Sequence, residues 1–366
     1  MTAGWKVALS HDWLNGMRGG ERCLEWICKA YPQADLYTLL YRPEMVTAPI
    51  RERAVHASFL QRLPGFRNHY RWFLPFFPAA IEAFRLPPET NLVLSTSHCV
   101  AKGIIPPKGA KHLCYCFTPM RYAWSMQEDY FGRNPVKLAV LNMELSRLRR
   151  WDRAASSRVD HFVAISRYIQ DRIRACYGRE STVVYPPVAT DYFTPAAGGG
   201  HDGFDLIVSA LVPYKRVDLA VQAYTQSGYP LKISGVGTEL ETLRRQAGPN
   251  VEFLGRVPDE GVRSLYRRCR FLVFPGEEDF GIVPLEAQAC GKPVLAYGAG
   301  GALETVVDGV TGVYFNTRTP GALLSAVEHA AAQSWDAVAI RRHAEQFSAQ
   351  RFVDGLQAEI NRLMGA

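Results

Sequence analysis

The stretch FLVFPGEEDFGIVPLEAQACGKPVLAY, residues 271–297, carries the clearest fold signal in the sequence. A short apolar run ends at Phe274 and is followed by a Pro-Gly turn. Helical periodicity over residues 283–289 leads into a second apolar run at residues 294–297. A strand, a turn, a helix and a second strand of these lengths predict one βαβ unit of a parallel sheet.

The same alternation continues on both sides of this stretch. Apolar β-type runs predict further strands at residues 6–10, 36–40, 92–94, 112–116, 161–165, 182–184, 205–210, 231–234, 251–253 and 312–315. Helical patterns lie between several of them, at residues 21–30, 217–224, 238–247 and 260–268 and from residue 320 onward. We therefore predict an α/β protein with two doubly wound, Rossmann-like parallel sheets facing a cleft, and ligands at the carboxyl ends of the strands.

The length of the chain also predicts two domains, since domains average roughly 150 residues and the chain has 366. The segment TPAAGGGHDG, residues 194–203, has the composition of a flexible linker. We predict an N-terminal domain over residues 1–195, a linker at 196–203 and a second domain at 204–340. A C-terminal helical segment, residues 341–366, is expected to pack back toward the N-terminal domain.

Composition excludes several classes of protein. Hydrophobic residues make up 48% and charged residues 21% of the chain, which are globular values. No apolar run approaches about 18 residues, so we expect no transmembrane helix. The N-terminus lacks the pattern of a signal peptide, and the eight cysteines include no C-x-x-C pair, as is typical of reduced thiols in the cytosol. A cytoplasmic protein is predicted.

Positive charge is concentrated in the first half. Residues 1–195 hold 26 Lys and Arg against 16 Asp and Glu, whereas the remainder holds 16 against 19. A basic first half would suit an anionic membrane surface, a phosphorylated acceptor or nucleic acid, and simple solubility is the alternative. Residues 67–85 mix Arg, Trp, Phe and Pro, which fits either a membrane-surface or lipid-acceptor patch or a buried loop.

Two carboxylates, Glu278 and Glu286, flank the predicted start of the helix in the opening stretch. A helix N-terminus offers unpaired N–H groups and a positive dipole end, which suit a phosphate. Carboxylates beside it can accept hydrogen bonds from sugar and ribose hydroxyls. From the residues alone, an acidic surface turn and a helix-capping glutamate remain an equal alternative.

The frame E-D-F-G-I-V-P-L-E-A-x-A-x-G-x-P-V around this pair resembles the retaining nucleotide-sugar glycosyltransferases of family 4. Nearly the whole chain shares the resemblance, through SALVPYKRVD at 209–218, GVG at 235–237, FLGRV at 253–257, GG with Glu304, DGVTG at 308–312, GGER at 19–22, STSH at 95–98 and YPPV at 185–188. The resemblance implies a GT-B fold, with residues 1–195 as the acceptor-binding domain and residues 204–340 as the nucleotide-sugar-binding domain. HDWL at 11–14 and TPMRYAW at 118–124 are most similar to bacterial GDP-mannose-dependent mannosyltransferases of polysaccharide and O-antigen assembly.

The resemblance also implies roles for individual residues. Lys215 would contact the donor diphosphate, Glu278 the hydroxyls of the transferred sugar, and His98 would lie near the reacting centre. Glu286 would bind the ribose, and the other implied donor-binding residues are Gly19, Gly20, Arg216, Gly235, Gly237, Arg256, Val257, Phe280, Gly281, Ile282 and Val283. Arg121, Tyr122 and Trp124 are candidate acceptor-binding residues, with an ordinary loop anchored by aromatic residues as the alternative.

One departure from the family pattern concerns the phosphate site. The family usually has Arg five residues ahead of the lysine, and this chain has Ala210 there. Arg216 is a candidate substitute, and an inactive homologue is the alternative. The sequence has no D-x-D triplet, no P-loop and no G-x-G-x-x-G after a strand, so we expect neither a metal nor a dinucleotide cofactor.

Together these features predict a retaining hexosyltransferase that moves mannose from GDP-mannose, in α-linkage, onto a lipid-linked or growing bacterial glycan. The resemblance implies front-face displacement without a protein nucleophile. The alternatives are a UDP-sugar donor, an epimerase or phosphorylase of the same fold, and a non-catalytic partner in polysaccharide assembly. A nucleotide sugar and a lipid-linked or oligosaccharide acceptor are the expected partners, with peripheral contact to the inner face of the cytoplasmic membrane and no nucleic acid.

Overall fold

The structure is a computed structural model that describes residues 4–124 and 135–365. The chain divides into two compact units, Met1–Pro186 with Phe352–Ala366 and Pro187–Arg351. Each unit contains one sheet whose paired strands are parallel. The prediction of two Rossmann-like parallel-sheet domains is therefore confirmed.

The first unit contains a seven-stranded sheet in the order β3-β2-β1-β4-β5-β6-β7. Its strands are β1 Val7–His11, β2 Asp35–Thr38, β3 Val55–Ala57, β4 Leu92–Ser97, β5 Lys111–Cys116, β6 His161–Ala164 and β7 Ser181–Val183. All six residues of β4 are buried, as expected for a central strand. The strand order reverses between β1 and β4, which makes this pair the topological switch point of the sheet.

Helices connect these strands and cover the sheet's apolar side chains. The α-helices of the first unit are Gly19–Ala30, Ala48–Arg51, Phe66–His69, Phe77–Glu82, Arg121–Trp124, Pro135–Ser156 and Arg167–Tyr177, with 3-10 turns at Pro43–Met45, Phe59–Arg62, Tyr70–Phe76 and Ala101–Gly103. Local capping explains some of these boundaries. The hydroxyl of Ser166, for example, accepts a hydrogen bond from the N–H of Ile169 at 3.1 Å and starts the helix that follows.

The second unit contains a six-stranded sheet in the order β10-β9-β8-β11-β12-β13. Its strands are β8 Asp205–Val208, β9 Leu231–Ser234, β10 Val251–Gly255, β11 Leu272–Phe274, β12 Val294–Tyr297 and β13 Gly312–Phe315. Its helices are Val217–Ser227, Leu240–Gln246, Asp259–Arg268, Ile282–Ala289, Ala302–Thr305, Pro320–Ala331 and Ala337–Glu345. The helix Ala349–Met364 lies mostly in the first unit. The strand order here reverses between β8 and β11.

A buried ion pair ties the start of β8 to the rest of the second unit. The carboxylate of Asp205 accepts two hydrogen bonds from Arg270, at 2.9 and 2.7 Å, and one from the hydroxyl of Tyr224 at 2.6 Å. A buried carboxylate is tolerated only when it is paired and hydrogen-bonded in this way.

The predicted strands agree with the observed strands to within a few residues. Between β2 and β4, however, the structure contains elements that the sequence did not predict. Strand β3 and the short helices between residues 43 and 82 were not predicted. These elements are three to seven residues long, too short to show a periodicity, and their buried positions depend on tertiary packing.

Most of the segment between β7 and β8 is hydrogen-bonded within the second unit. Val188 donates to the carbonyl of Phe347 at 2.9 Å, Lys292 donates to the carbonyl of Gly200 at 2.5 Å, and Arg268 donates to Asp202 at 2.6 Å. The predicted linker, residues 196–203, thus lies within the second unit.

Residues 352–366 belong to the first unit. The ring of Phe352 lies 5.4 Å from that of Tyr115, and a carboxylate oxygen of Glu359 lies 2.9 Å from Nε2 of His161. Among the described residues, no helix combines the length and the hydropathy needed to cross a bilayer.

Candidate active site

Two loops meet at the switch point of the second sheet. Residues 209–216 follow β8 and residues 275–281 follow β11, and these two strands are neighbours. The ammonium group of Lys215 forms an ion pair with the carboxylate of Glu278, and both side chains are mostly buried. The structure therefore brings together two of the three residues predicted to be catalytic, at the sheet edge where ligands bind in this fold.

The loop after β12 packs against the backbone of Glu278. The N–H of Gly301 donates to the carbonyl of Glu278 at 2.8 Å. A Cβ at Gly301 would lie 2.2 Å from the Cα of Phe280, so only glycine allows this approach. Phe280 is buried, and its ring lies 5.8 Å from that of Phe347. The backbone of residues 278–280 is thereby fixed by the loop after β12 on one side and by the ring of Phe347 on the other.

The predicted ribose-binding residue lies on the helix that begins after this loop. Gly281 caps the helix Ile282–Ala289, whose first residues are the predicted donor-binding Ile282 and Val283. Glu286 is half-buried and accepts a hydrogen bond from the hydroxyl of Tyr266 at 2.9 Å. Burial, with the nearby Glu286 charge, raises the pKa of Tyr266, which remains a donor and orients the carboxylate.

Arg216 is directed toward its own helix. It has a left-handed backbone, with φ of 52°, at the start of the helix Val217–Ser227. Its guanidinium donates two hydrogen bonds to the carboxylate of Asp218, at 3.0 and 3.1 Å, and this pairing raises its pKa. The sequence suggested the Arg216 guanidinium as a substitute for the arginine that is missing at position 210. Asp218 therefore competes with a phosphate for that guanidinium. Ala210 itself is exposed.

A second glycine turn lies against the loop that carries Lys215. The carbonyl of Leu211 accepts a hydrogen bond from Glu239 at 3.0 Å, and a Cβ at Gly237 would lie 2.1 Å from that carbonyl oxygen. The N–H of Gly235 donates to the carbonyl of Gly255 at 2.8 Å. The predicted donor-binding turns after β8, β9 and β10 are therefore in direct contact.

Arg256 and Val257 follow β10 at the same edge of the sheet. Arg256 is exposed and Val257 is half-buried. Their predicted role beside the base would use backbone groups, so side-chain exposure neither supports nor opposes it.

The switch point of the first sheet holds a carboxylate that the sequence motifs did not single out. Asp12 follows β1 and is fully buried. Its two oxygens accept hydrogen bonds from four consecutive backbone N–H groups, those of His98, Cys99, Val100 and Ala101, at 2.7, 2.9, 2.6 and 2.7 Å. The loop after β4 is wrapped around one side chain that follows β1.

The same carboxylate positions His98. An oxygen of Asp12 lies 3.2 Å from Nδ1 of His98, and the ring of His98 stands edge-on to Trp13 with 4.4 Å between the ring centroids. The imidazole is about a quarter exposed. A buried carboxylate next to Nδ1 favours a proton on that nitrogen and fixes the orientation of the ring.

His11 lies next to this pair and is fully buried. Its Nδ1 is 2.7 Å from the hydroxyl of Thr96, and its Nε2 has no hydrogen-bond partner among the described residues. Burial lowers the pKa of His11 to about 3, so the ring is neutral. A polar His-Asp pair directly after the predicted strand at residues 6–10, the first two residues of HDWL, was the sequence signal available for Asp12.

The predicted glycine turn begins a helix beside His11. The helix Gly19–Ala30 starts at the predicted turn, and a Cβ at Gly20 would be 3.3 Å from the ring of Phe117 and 3.7 Å from His11. Glu21 accepts a hydrogen bond from the N–H of Arg18 at 3.1 Å. Gly19, Gly20 and His98 thus lie around the same switch point of the first unit.

The candidate acceptor residues lie on the short helix Arg121–Trp124. The indole N–H of Trp124 donates to Asp152 at 2.8 Å, and Asp152 also accepts from the hydroxyl of Tyr177 at 2.8 Å and pairs with the buried Lys102. Tyr122 is buried and Arg121 is half-buried. This anchoring fits an ordinary loop held by aromatic residues, and the acceptor role stays a prediction.

Comparison with known proteins finds a family match within the second unit. Residues 201–347 match the family model "Glycosyl transferases group 1". An uncharacterized glycosyltransferase of Methanocaldococcus jannaschii is 32% identical over 174 residues, which are 46% of this chain and 49% of that protein. A GDP-mannose-dependent alpha-(1-6)-phosphatidylinositol monomannoside mannosyltransferase of Mycolicibacterium smegmatis is 32% identical over 44% of this chain and 50% of its own. The chain spans about half the length of the curated relatives it matches.

Solved structures with the same fold cover almost the whole chain. Anabaena HepE in complex with UDP has a TM-score of 0.71 at 18% identity and covers 98% of this chain and 100% of its own. Sucrose-phosphate synthase from Thermosynechococcus elongatus has a TM-score of 0.74 at 16% identity and covers 99% of each chain. At these identities the likeness shows the fold alone, which is the GT-B fold.

Proposed function

We propose that this protein is a retaining glycosyltransferase that transfers mannose from GDP-mannose, in α-linkage, onto a lipid-linked or growing bacterial glycan. The observation that carries the proposal is the Lys215–Glu278 ion pair at the switch point of the glycosyltransferase group 1 domain. The choice of donor draws on relatives that are named GDP-mannose-dependent mannosyltransferases.

In the proposed reaction, Lys215 binds the donor diphosphate and stabilises the negative charge that develops on it, an effect worth several kcal/mol in a site shielded from water. Glu278 accepts hydrogen bonds from hydroxyls of the transferred sugar, and Glu286, oriented by Tyr266, accepts them from the ribose. Backbone N–H groups at the start of the helix Ile282–Ala289 are further donors for phosphate.

The transfer step is a front-face displacement. The bond between C1 of the sugar and the diphosphate oxygen breaks, and the acceptor oxygen bonds to C1 on the same face. The acceptor proton passes to a phosphate oxygen of the departing GDP, so no protein nucleophile is required. His98, oriented by Asp12, lies near the reacting centre in this proposal. The reaction is expected to proceed in EDTA, since cationic and N–H groups of the protein would neutralise the leaving group.

The test is transfer from radiolabelled GDP-mannose to a membrane lipid fraction or a synthetic lipid-linked acceptor. Lys215→Ala and Glu278→Gln are each expected to lower kcat/KM at least tenfold. The matched control is Lys232→Ala, because Lys232 also pairs with a glutamate, Glu252, at 3.0 Å in the same unit. Retention of full activity in both site variants, or an equal loss in the control, would contradict the site assignment.

Donor identity is tested separately by thermal shift with GDP, UDP, ADP and NAD, and with GDP-mannose. A ligand at 100 times its dissociation constant stabilises a protein by about 2.7 kcal/mol, which this measurement detects. A thermal shift with UDP and not with GDP would indicate a UDP-sugar donor in place of GDP-mannose, and one structural neighbour was solved with UDP. No shift with any nucleotide would favour a non-catalytic partner, for which Ala210 and the Arg216–Asp218 pair are the supporting features.

A phosphorylase or an epimerase of the same fold would release a different product. Free sugar phosphate would indicate a phosphorylase, and an altered nucleotide sugar would indicate an epimerase. A lipid-linked acceptor also implies that the protein works at the inner face of the cytoplasmic membrane. We place that contact on the basic N-terminal domain as part of the same proposal.

A further inference from the structure

A layer of short helical segments in the first unit has a buried apolar inner side and an outer side that also exposes large apolar residues. The segments are Phe59–Arg62, Phe66–His69, Tyr70–Phe76 and Phe77–Glu82. Their inner side chains, which include Leu60, Phe66, Tyr70, Leu74 and Phe77, belong to one core cluster with Trp13. The layer is therefore firmly attached to the unit. Residues 67–85 are therefore buried on one side and exposed on the other.

The outer side of this layer exposes large apolar side chains. Trp72 is 78% exposed, Phe76 is 58% exposed and Phe59 is 49% exposed, and Leu63 is exposed as well. Trp72 and Phe76 are four residues apart, and the Trp72 ring stacks on that of His69 with 4.6 Å between centroids. Exposed apolar groups concentrated in this way mark an interaction surface, because single exposed residues are normally scattered.

The charged residues exposed between the aromatic residues of this layer are basic. Arg62, Arg67 and Arg71 are exposed between the aromatic residues, and residues 53–81 contain no Asp or Glu. Arg42 donates two hydrogen bonds to residues 67–68, at 2.5 and 3.0 Å, and holds this part of the layer in place. The nearest acidic residue in sequence after this stretch, Glu82, is held by Arg158 at 2.6 Å and by the indole N–H of Trp151 at 2.8 Å.

We propose that the outer side of residues 59–76 is a membrane-docking surface for an anionic phospholipid bilayer, with Trp72 and Phe76 inserted into the interface and Arg62, Arg67 and Arg71 against lipid phosphates. Tryptophan and phenylalanine prefer the interfacial region of a bilayer, and arginines beside it attract anionic lipid headgroups. An acidic protein partner would also satisfy the arginines, but the interleaving of aromatic and basic residues over a run of short helices favours a lipid surface. This inference rests on the proposed function, which places a membrane contact on the N-terminal domain, and it names the residues of that contact.

The test is cosedimentation of the full chain with sucrose-loaded vesicles of phosphatidylcholine alone and of phosphatidylcholine with about a third of phosphatidylglycerol. We expect binding to the anionic vesicles that weakens as salt rises from about 0.1 to about 0.5 M, because screening shortens the reach of the arginine charges. Trp72→Ser with Phe76→Ser, and separately Arg67→Glu with Arg71→Glu, should each lower the partition coefficient at least tenfold. Trp72→Phe should keep binding and lose the blue shift in tryptophan emission that accompanies it.

The matched control is Met143→Ser with Arg147→Glu, on the helix Pro135–Ser156. Met143 is 71% exposed and the Arg147 side chain 59% exposed, so the control removes a comparable apolar group and charge elsewhere in the same unit. No binding to anionic vesicles by the natural chain, equal binding to neutral vesicles, or an equal loss in the control would overturn the proposal. A surface variant that loses self-association in sedimentation velocity without lipid, and still binds vesicles, would also overturn the proposal, because the surface would then join copies of the chain. Nucleotide binding measured without vesicles should be unchanged in the surface variants, which separates this inference from the proposed function.

Discussion

The carboxylate of Asp12 is expected to be a large stabilising element of the first unit, and Asp12→Asn measures it. The substitution preserves size and shape. One oxygen of the side chain becomes an NH2 group that faces backbone N–H donors, so the two hydrogen bonds received by that oxygen are lost. Each of the oxygens of Asp12 accepts two backbone N–H groups, at 2.6 to 2.9 Å.

The magnitude follows from the burial of these donors. Cys99, Val100 and Ala101 are fully buried, so water cannot replace the missing acceptor. A buried donor without an acceptor costs about 1–3 kcal/mol, and two of them give about 2–6 kcal/mol. Domains of this size are stable by about 5–15 kcal/mol, so the loss is a large share of the total.

Hydrogen exchange with mass spectrometry is the suitable assay, because the chain has two units and one unfolding midpoint would average them. Peptides that cover residues 98–101 should lose at least about thirtyfold in protection, which corresponds to about 2 kcal/mol. Asp160→Asn is the control, since exposed Asp160 accepts one backbone hydrogen bond, from His112 at 2.8 Å. A loss in Asp12→Asn no larger than that of the control would refute the reasoning.

Three further predictions concern other parts of the molecule. Burial lowers the pKa of His112 to about 4 from about 6.5 in the unfolded chain, so the unfolded state binds the extra proton and stability falls on acidification. Between about pH 7.5 and about pH 5 this group should lower the free energy of unfolding of the first unit by about 2 kcal/mol, measured by hydrogen exchange of peptides from β4 and β5. His112→Gln should remove about that much of the pH dependence, and an unchanged pH dependence would contradict the prediction. Gly237→Ala should weaken nucleotide binding in a thermal-shift titration at least tenfold because its Cβ would overlap a backbone carbonyl, whereas Gly321→Ala, where a Cβ meets open space, should not. Tyr266→Phe should raise the KM for donor severalfold with little change in kcat by releasing Glu286, and an effect confined to kcat would argue against a ribose contact.

Much of the candidate site was accessible from the sequence, because Lys215 and Glu278 each follow a predicted strand and Glu286 lies on the predicted helix after the second of them. Lys215, Glu278 and Glu286 were singled out by motif, and parallel topology then brings the first two to neighbouring strand ends. The Lys215–Glu278 pairing itself needed the strand order, since β8 and β11 are neighbours in space and are separated by two strands in sequence. The competition of Asp218 for Arg216 likewise depends on the left-handed backbone at Arg216.

Alternating apolar runs and turn residues in the sequence alone determined two parallel α/β sheets, because the hydrophobic period of each element is a local property. Motif spacing also indicated which strand ends carry the candidate chemistry. Tertiary structure alone decided what depends on contacts between distant residues. The Asp12 carboxylate meets donors 86 to 89 positions away, and the short helices of residues 59–82 are split into a buried and an exposed side by the core on which they lie. Such features have no local signature, since their energy comes from groups that only folding brings together.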